Sequence, residues 1–252
     1  MTAYRVFALH DHSRLPELNR LYASFRGNYL PVPDAQALWV AGEQGDLFGV
    51  ERLDPAGPVL TGAAATFPLA LCQADAGGEI DVRELAGTVI DKAALGGFGV
   101  QDVLISLRLV ATARAYNDCC VMAAVVREND GSLRNIVGGG FLECEAPGWL
   151  RAAARAWCPE HLEVVNLVVP PQALARHARR LLDLVRNPTL TRPNRSVLGT
   201  KESISIILDI GWLRDETEFL EEMAEGLVLD WATSIPLVRL LGKDGRWTEF
   251  RG

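Results

Sequence analysis

The sequence predicts an α+β fold, with a central, mostly antiparallel sheet flanked by helices and a C-terminal extension. Three observations carry that prediction. Three strand candidates between Leu47 and Ile90 are joined only by short turns rich in Asp, Pro and Gly, which suit antiparallel hairpins. A glycine cluster, Gly96-Gly97-Phe98-Gly99, then marks a switch to helical spacing, with Val103, Leu104, Leu107, Val110 and Ala111 on one face. Beyond it, helix and strand candidates alternate to Val169.

Tyr4 to Leu9 reads as a short strand. Ser13 is a plausible cap for the helix that follows, whose apolar face is Leu18, Leu21 and Tyr22. Phe25 to Pro33 is irregular, and Asp34 to Ala41 could form a second short helix. The three hairpin strands are Leu47–Leu53, Val59–Leu71 and Asp81–Ile90. After the glycine cluster come a helix from Val100 to Tyr116, an apolar strand from Cys119 to Val126, and a short helix from Ser132 to about Val137. Gly138-Gly139-Gly140 ends that helix. Phe141–Glu145 is a strand, Trp149–Cys158 a helix and Leu162–Val169 a strand. Pro170-Pro171 opens a basic amphipathic helix to about Arg186. Asn187–Thr200, with Pro188, Pro193 and Gly199, reads as a long loop. Ser203–Ile210 is a strand and Glu216–Leu227 an acidic helix. The expected organisation is residues 1–170 as the binding domain and 171–252 as an extension packed on it, free to lengthen the sheet, cover a site or form a homodimer.

The 252 residues carry a net charge of −7, and no run of Lys and Arg stands out, which argues against nucleic acid or an anionic membrane as partner. Five cysteines without a spacing pattern do not read as a disulfide framework, and His10, His12, His161 and His177 show no metal-ligand spacing, so no metal is expected. No stretch approaches a membrane span, and the N-terminus lacks the long apolar stretch of a signal peptide, so a cytoplasmic protein is expected.

The glycine turn is the feature with chemistry in it. Glycines admit positive φ and close approach of the backbone to an anion. Successive N–H groups form an anion nest, and the helix that follows turns its free N–H groups and positive dipole end to the same place. Asp102 in that first turn suits the dipole but would repel a diphosphate if it pointed inward.

The order of elements resembles the GNAT N-acyltransferases over about residues 4 to 169, and three local segments carry the resemblance. The strand Arg83-Glu84-Leu85-Ala86-Gly87-Thr88-Val89-Ile90-Asp91 looks like the family's fourth strand, which splays from its neighbour, often through a bulge, and pairs with a pantetheine arm. The glycine turn resembles the family's pyrophosphate loop. Either Ala94, Gly97 and Gly99 or Gly96, Gly99 and Gln101 take its defined positions, and the second register is preferred. Finally, Asn129, Ser132, Gly140 and Phe141 fall at the family's spacing after the fifth strand.

The resemblance implies acetyl-CoA or another acyl-CoA as co-substrate and an amine of a small molecule or peptide as acceptor. It implies cofactor contacts from Val89, Ile90, Asp91, Gly96, Gly97, Phe98, Gly99, Val100, Gln101 and Asn129. Glu84 is the expected general base, with Glu79 and Asp81 as alternatives. The family's proton-donating Tyr falls at Ile136, which cannot donate, so Cys120, Cys144 and Glu143 are considered in its place. Two other readings stay open: a non-catalytic acyl-CoA sensor, and an acyl-carrier-dependent synthase of the autoinducer type. The N-terminal Arg, Trp and Asp arrangement of those synthases is not convincing at Arg26, Trp39 and Asp46. For Asn129 the bland alternative is a helix cap, for Cys119 and Cys120 core packing, and for Arg176, Arg179, Arg180 and Arg186 a solvated helix face.

Overall fold

The structure is a computed structural model that describes residues 1–25, 35–73, 79–116, 119–145, 161–193, 199–227, 238–241 and 247–250. Its strands are β1 (Thr2–Ala8), β2 (Leu47–Asp54), β3 (Gly57–Gln73), β4 (Glu79–Ile90), β5 (Cys119–Val126), β6 (Leu142–Glu145), β7 (Val164–Val168), β8 (Thr189–Pro193), β9 (Lys201–Asp209), β10 (Val238–Leu241) and β11 (Trp247–Phe250). They form one sheet in the order β11-β10-β6-β7-β5-β4-β3-β2-β1-β9-β8. All neighbours are antiparallel except β4 with β5 and β1 with β9. The hairpins read from the short Asp/Pro/Gly turns are thus present as β2–β3 and β3–β4.

The helices are α1 (Leu15–Ser24), α2 (Ala35–Glu43), α3 (Lys92–Leu95), α4 (Val100–Ala115), α5 (Asp130–Gly138), α6 (Pro171–Arg186), α7 (Gly211–Asp215) and α8 (Thr217–Glu225). Asp11, not Ser13, caps the turn His12–Arg14 before α1: its carboxylate accepts from Ser13 N–H at 2.9 Å. The helix expected over Trp149–Cys158 lies outside the described residues. No helix among the described residues is long and apolar enough to cross a membrane.

Two apolar layers sandwich the sheet. On one side Leu18, Tyr22, Leu38 and Ala41 of α1 and α2 cover Leu47, Leu60, Ala63, Ala65 and Val89. On the other, α4 is buried almost all round, from Val100 to Thr112. A helix apolar on more than one stripe needs cover on both sides. The sheet supplies one cover and α6, itself packed on α8, the other.

The extension also lengthens the sheet, because β9 runs beside β1 in parallel register from Thr2↔Ile204 to Phe7↔Asp209. The segment Asn187–Thr200, read as a loop, contains β8. Proline cannot donate to a ladder and so signals a break, but β8 is the sheet edge, where proline is tolerated.

Candidate functional site

β4 and β5 pair over only four residues, from Asp81↔Cys119 to Glu84↔Met122. Beyond Glu84 the two parallel strands part. β4 continues six residues to Ile90 against β3 alone, and β5 continues to Val126 against β7. On β4 the register with β3 shifts between Ala65↔Ala86 and Ala63↔Val89, leaving Gly87 and Thr88 as a bulge. Gly87 has φ +59°, a left-handed conformation that costs a residue with a Cβ about 1–2 kcal/mol. This is the splayed, bulged strand the sequence led us to expect.

The parting opens a cleft of about 810 Å³. One wall is Gly87, Thr88, Val89 and Ile90 of β4, closed at one end by Tyr22 and Phe25. The opposite wall is Asn129, Gly131, Ser132, Arg134 and Asn135, at and within α5. The floor is the glycine turn and the first turn of α4, where Gly96, Gly97, Gly99, Val100, Gln101 and Asp102 line it beside Lys92 and Leu95.

Gly97 and Gly99 hold φ of +82° and +76°. A Cβ on Gly96 would meet Lys92 O at 2.4 Å. The first intrahelical bond of α4 is Val103 N–H to Gly99 O, at 3.2 Å. The N–H groups of Val100, Gln101 and Asp102 are therefore those a helix leaves free at its start. Glycine backbone and a helix N-terminus converge here on the cleft floor.

Of the sequence-predicted residues, Val89, Ile90, Gly96, Gly97, Gly99, Val100, Gln101 and Asn129 line the cleft. Asp91 and Phe98 do not. Asp91 turns back to cap α3, accepting from Ala93 N–H at 2.9 Å and Ala94 N–H at 3.3 Å. Phe98 is buried, with the Arg192 guanidinium 4.1 Å above its ring. Asn129 lines the cleft, and its Oδ1 accepts from Ser132 N–H at 3.3 Å as the cap of α5, the alternative weighed for it.

Glu84 sits at the fork rather than on the cleft lining. It is 8% exposed and accepts a hydrogen bond from Ala124 N–H, on the part of β5 that has left β4. Burial pushes its carboxyl up to about 7, against the lesser, opposite pull of that N–H. Arg83 does not pair with it. Arg83 donates to Asp46 Oδ2 at 2.6 Å and Asp81 Oδ2 at 2.8 Å, and lies 3.6 Å from the centre of the Tyr116 ring. Asp81 is thereby committed, and the Glu79 side chain lies outside the described residues.

Among the described residues no thiol takes the place of the expected tyrosine on the cleft wall. Cys119, Cys120 and Cys144 are buried in the core, and burial pushes Cys119 and Cys144 up to about 12. Glu143 pairs with Arg127 at 3.2 Å. Ile136 is 4% exposed, in the core and not on the lining.

The arginines of α6 lie on a largely exposed face, as expected, and three of them also fasten backbone carbonyls. Arg180 donates to Gly99 O at 3.3 Å and lies 3.6 Å from Asp102 Oδ2. Arg176 donates to Gly138 O at 2.9 Å and Arg179 to Ala224 O at 2.7 Å. From β8, Arg192 donates to Gly96 O and pairs with Glu202. His177, 3% exposed, links α6 to α4 and to the residue after α5. Its Nε2 lies 2.7 Å from Gly139 O, and its Nδ1 lies 2.8 Å from Ser106 Oγ on α4. A carbonyl only accepts, so Nε2 carries the proton; the Ser106 hydroxyl, also 2.8 Å from Asp102 O, shares its one proton between that carbonyl and the Nδ1 lone pair of the neutral ring. Burial holds this imidazole down at about 4. Sequence reasoning missed these fastenings because each joins residues far apart in the chain.

No family model and no curated protein matches the sequence. Solved structures do. In the crystal structure of the NatC complex bound to Gag peptide and CoA, one chain superposes with TM-score 0.50 at 12% identity, covering 67% of this chain and 98% of that one. Arabidopsis thaliana NAA60 in complex with acetyl-CoA superposes at 0.45 with 14% identity, over 67% and 98% of the two chains. An N-acetyltransferase from Staphylococcus aureus Mu50 superposes at 0.42 with 12% identity, over 67% and 97%. The first of these likenesses shows the fold: the chain has a GNAT-type architecture, a large mixed sheet flanked by helices.

Proposed function

We propose that the chain binds an acyl-coenzyme A in the β4–β5 cleft and transfers its acyl group, most simply acetyl, to an amine of a small molecule or peptide. The observation that carries this reading is the fork itself. Parallel strands that part after four pairs leave backbone groups free along the cleft, between a glycine-and-helix anion cradle at one end and a buried carboxyl at the fork. Each part matches a portion of an acyl-CoA. The glycine-turn N–H groups suit the diphosphate. The free edge of β4 suits the amides of the pantetheine arm. The bulge N–H groups suit the thioester carbonyl, where negative charge develops. The solved structures that hold CoA or acetyl-CoA on this fold support the same ligand.

Glu84 then acts as general base. A carboxyl poised near 7 accepts a proton from an ammonium acceptor, directly or through water, at neutral pH. The freed amine forms the C–N bond as the C–S bond breaks. The acceptor nitrogen loses one proton to Glu84 on activation and a second as the tetrahedral adduct collapses. That second proton leaves with the coenzyme A sulfur as its thiol. Ile136 has no part in this, and much of the acceleration comes from holding the reactants together.

The test is thermal stabilisation of the full chain by acetyl-CoA, followed by thiol release over a panel of amines. Saturation at about a hundredfold over Kd should add about 2.7 kcal/mol. No stabilisation by any CoA ester would sink the reading. Tight binding without turnover over a broad panel would favour the sensor, the alternative that the buried Ile136 supports.

A further inference from the structure

Arg108 lies in the middle of α4, 1% exposed. A buried guanidinium is costly unless its donors are met. Here they are met by neutral oxygens. Nε donates to Leu104 O at 3.2 Å. Nη1 donates to Ala65 O at 2.8 Å and Ala86 O at 3.2 Å, and Nη2 to Thr88 Oγ1 at 2.9 Å. Three of these four acceptors frame the Gly87–Thr88 bulge. From the other layer, Tyr22 of α1 donates its hydroxyl to Gly87 O.

Two consecutive carbonyls, Ala86 and Gly87, therefore each accept from a buried side chain. Their peptide units carry the N–H groups of Gly87 and Thr88. Both residues line the cleft, and neither has a Cα partner on β3 or β5. A hydrogen bond to a carbonyl oxygen draws electron density toward it and leaves the N–H of the same peptide more positive, which is how hydrogen-bonded chains strengthen one another. A charged donor does this more strongly than a neutral one.

We propose that Arg108 and Tyr22 are positioning residues that polarise the Ala86–Gly87 and Gly87–Thr88 peptides, making the Gly87 and Thr88 N–H groups stronger donors into the cleft, toward the carbonyl of an acyl thioester. The polarisation stands on the geometry alone; the thioester as its target rests on the acyl-transfer reading. A tie that merely holds the bulge would change stability and leave the donor strength of these amides untouched.

The test separates the two parts. Tyr22→Phe keeps the ring and removes only the hydroxyl. In ¹H–¹⁵N spectra of the full chain without ligand, the Thr88 amide proton should move upfield in this variant while the amides of Gly96–Gly99 stay in place. With [1-¹³C]acetyl-CoA bound, the carbonyl stretch should lie below its solution frequency in the parent and return part of the way in Tyr22→Phe. One donor to a developing oxyanion is worth roughly 10²–10³ in rate. Polarisation that changes a bond by roughly 10–30% predicts a kcat loss of about two- to eightfold, with KM for acetyl-CoA unchanged. Arg108→Met should lose more, and Arg108→Lys should recover part of the carbonyl shift; if Arg108→Met does not fold, Tyr22→Phe carries the test. A Thr88 amide unmoved in Tyr22→Phe overturns the polarisation. A moved amide with no carbonyl shift in the bound thioester overturns the target. Failure of the parent to bind acetyl-CoA overturns the acyl-transfer reading instead, and is recognised because the amide shift is read without ligand.

Discussion

Replacing Glu84 by Gln should make the protein slower and, above neutrality, more stable. The carboxyl is pushed from the usual 4.5 to about 7 by burial, so the folded chain favours its neutral form. The sign follows: Glu84 favours folding fully below pH 4.5, and that contribution is lost as pH rises through about 7. The gap is worth about 3 kcal/mol, at about 1.36 kcal/mol per tenfold change in proton affinity. Gln is isosteric with the neutral acid, and its oxygen can still accept from Ala124 N–H. The stability difference between Glu84→Gln and parent, measured by urea unfolding, should therefore shift in favour of the variant by about 3 kcal/mol between pH 4 and pH 8. Taking the difference between two pH values cancels whatever the extra amide N–H costs. Activity should move the other way. In the parent, kcat/KM should rise tenfold per pH unit below about 7 and level off above it, because only the ionised carboxyl accepts a proton. Glu84→Gln should lose about 10²–10⁴ in kcat and flatten that rise. A variant within threefold of the parent, with the same pH profile, would refute the base assignment. An unchanged stability difference between pH 4 and 8 would refute the buried neutral carboxyl.

His177 carries the opposite sign. Its folded value near 4 lies below the ordinary 6.5, so its contribution is complete above pH 6.5 and lost as pH falls through 4. That is about 3 kcal/mol of acid sensitivity, and His177→Gln should remove it from the pH dependence of unfolding. Gly99→Ala forces a Cβ at φ +76° to within 3.0 Å of the Arg180 guanidinium. It should cost about 1–2 kcal/mol and about tenfold in acetyl-CoA affinity by calorimetry, whereas Gly211→Ala, with open space around it, should change neither. Ile136→Tyr should not supply a general acid, because its hydroxyl would enter the core. Expect a loss of about 1–3 kcal/mol by thermal unfolding and no gain in kcat. Arg192→Met should weaken acetyl-CoA binding while leaving kcat at saturation within twofold, since Arg192 fastens Gly96 and Phe98 and lies off the reacting end. Arg186→Met, which breaks only an exposed pair with Glu221, is its control, expected within about 0.5 kcal/mol of the parent.

The parts legible in the sequence were those set by local physics. The glycine turn could be read because positive φ at Gly97 and Gly99 all but requires glycine, and the requirement sits inside four residues. The hairpins followed from their short turns, and α4 from its spacing. The fork at Glu84 was anticipated by resemblance and was not derivable from period or composition, because strand parting depends on where two distant segments stop matching. The raised carboxyl was invisible for the same reason: burial comes from neighbours, and nothing local to Arg83-Glu84 says that Arg83 turns away to Asp46, 37 residues earlier. Arg108 left a trace, a lone cation within an apolar helix, but its acceptors on β3 and β4 are about 20 to 43 residues away.

The extension changes how the glycine turn is to be understood. A positive-φ turn is permitted by glycine, and permission leaves it mobile, since glycine loses more conformational freedom on ordering than any other residue. Something must hold such a turn open in the shape of an anion cradle before an anion arrives, or binding bears the ordering cost. The turn's own backbone supplies two holds, Gly96 N–H to Lys92 O at 3.0 Å and Phe98 N–H to Leu95 O at 3.3 Å. The extension supplies two more, from opposite sides: Arg192 on Gly96 O and Arg180 on Gly99 O. Both use carbonyl oxygens, leaving the N–H groups of Gly97 and Gly99, two glycines on the cleft lining, for an anion. Arg180 also stands 3.6 Å from Asp102, the one carboxylate on the cleft floor among the described residues, and offsets its charge there. Residues 171–193 thus act on the same few backbone atoms that the glycine pattern first singled out, and the fold's added helix and strand serve the cleft as part of its frame.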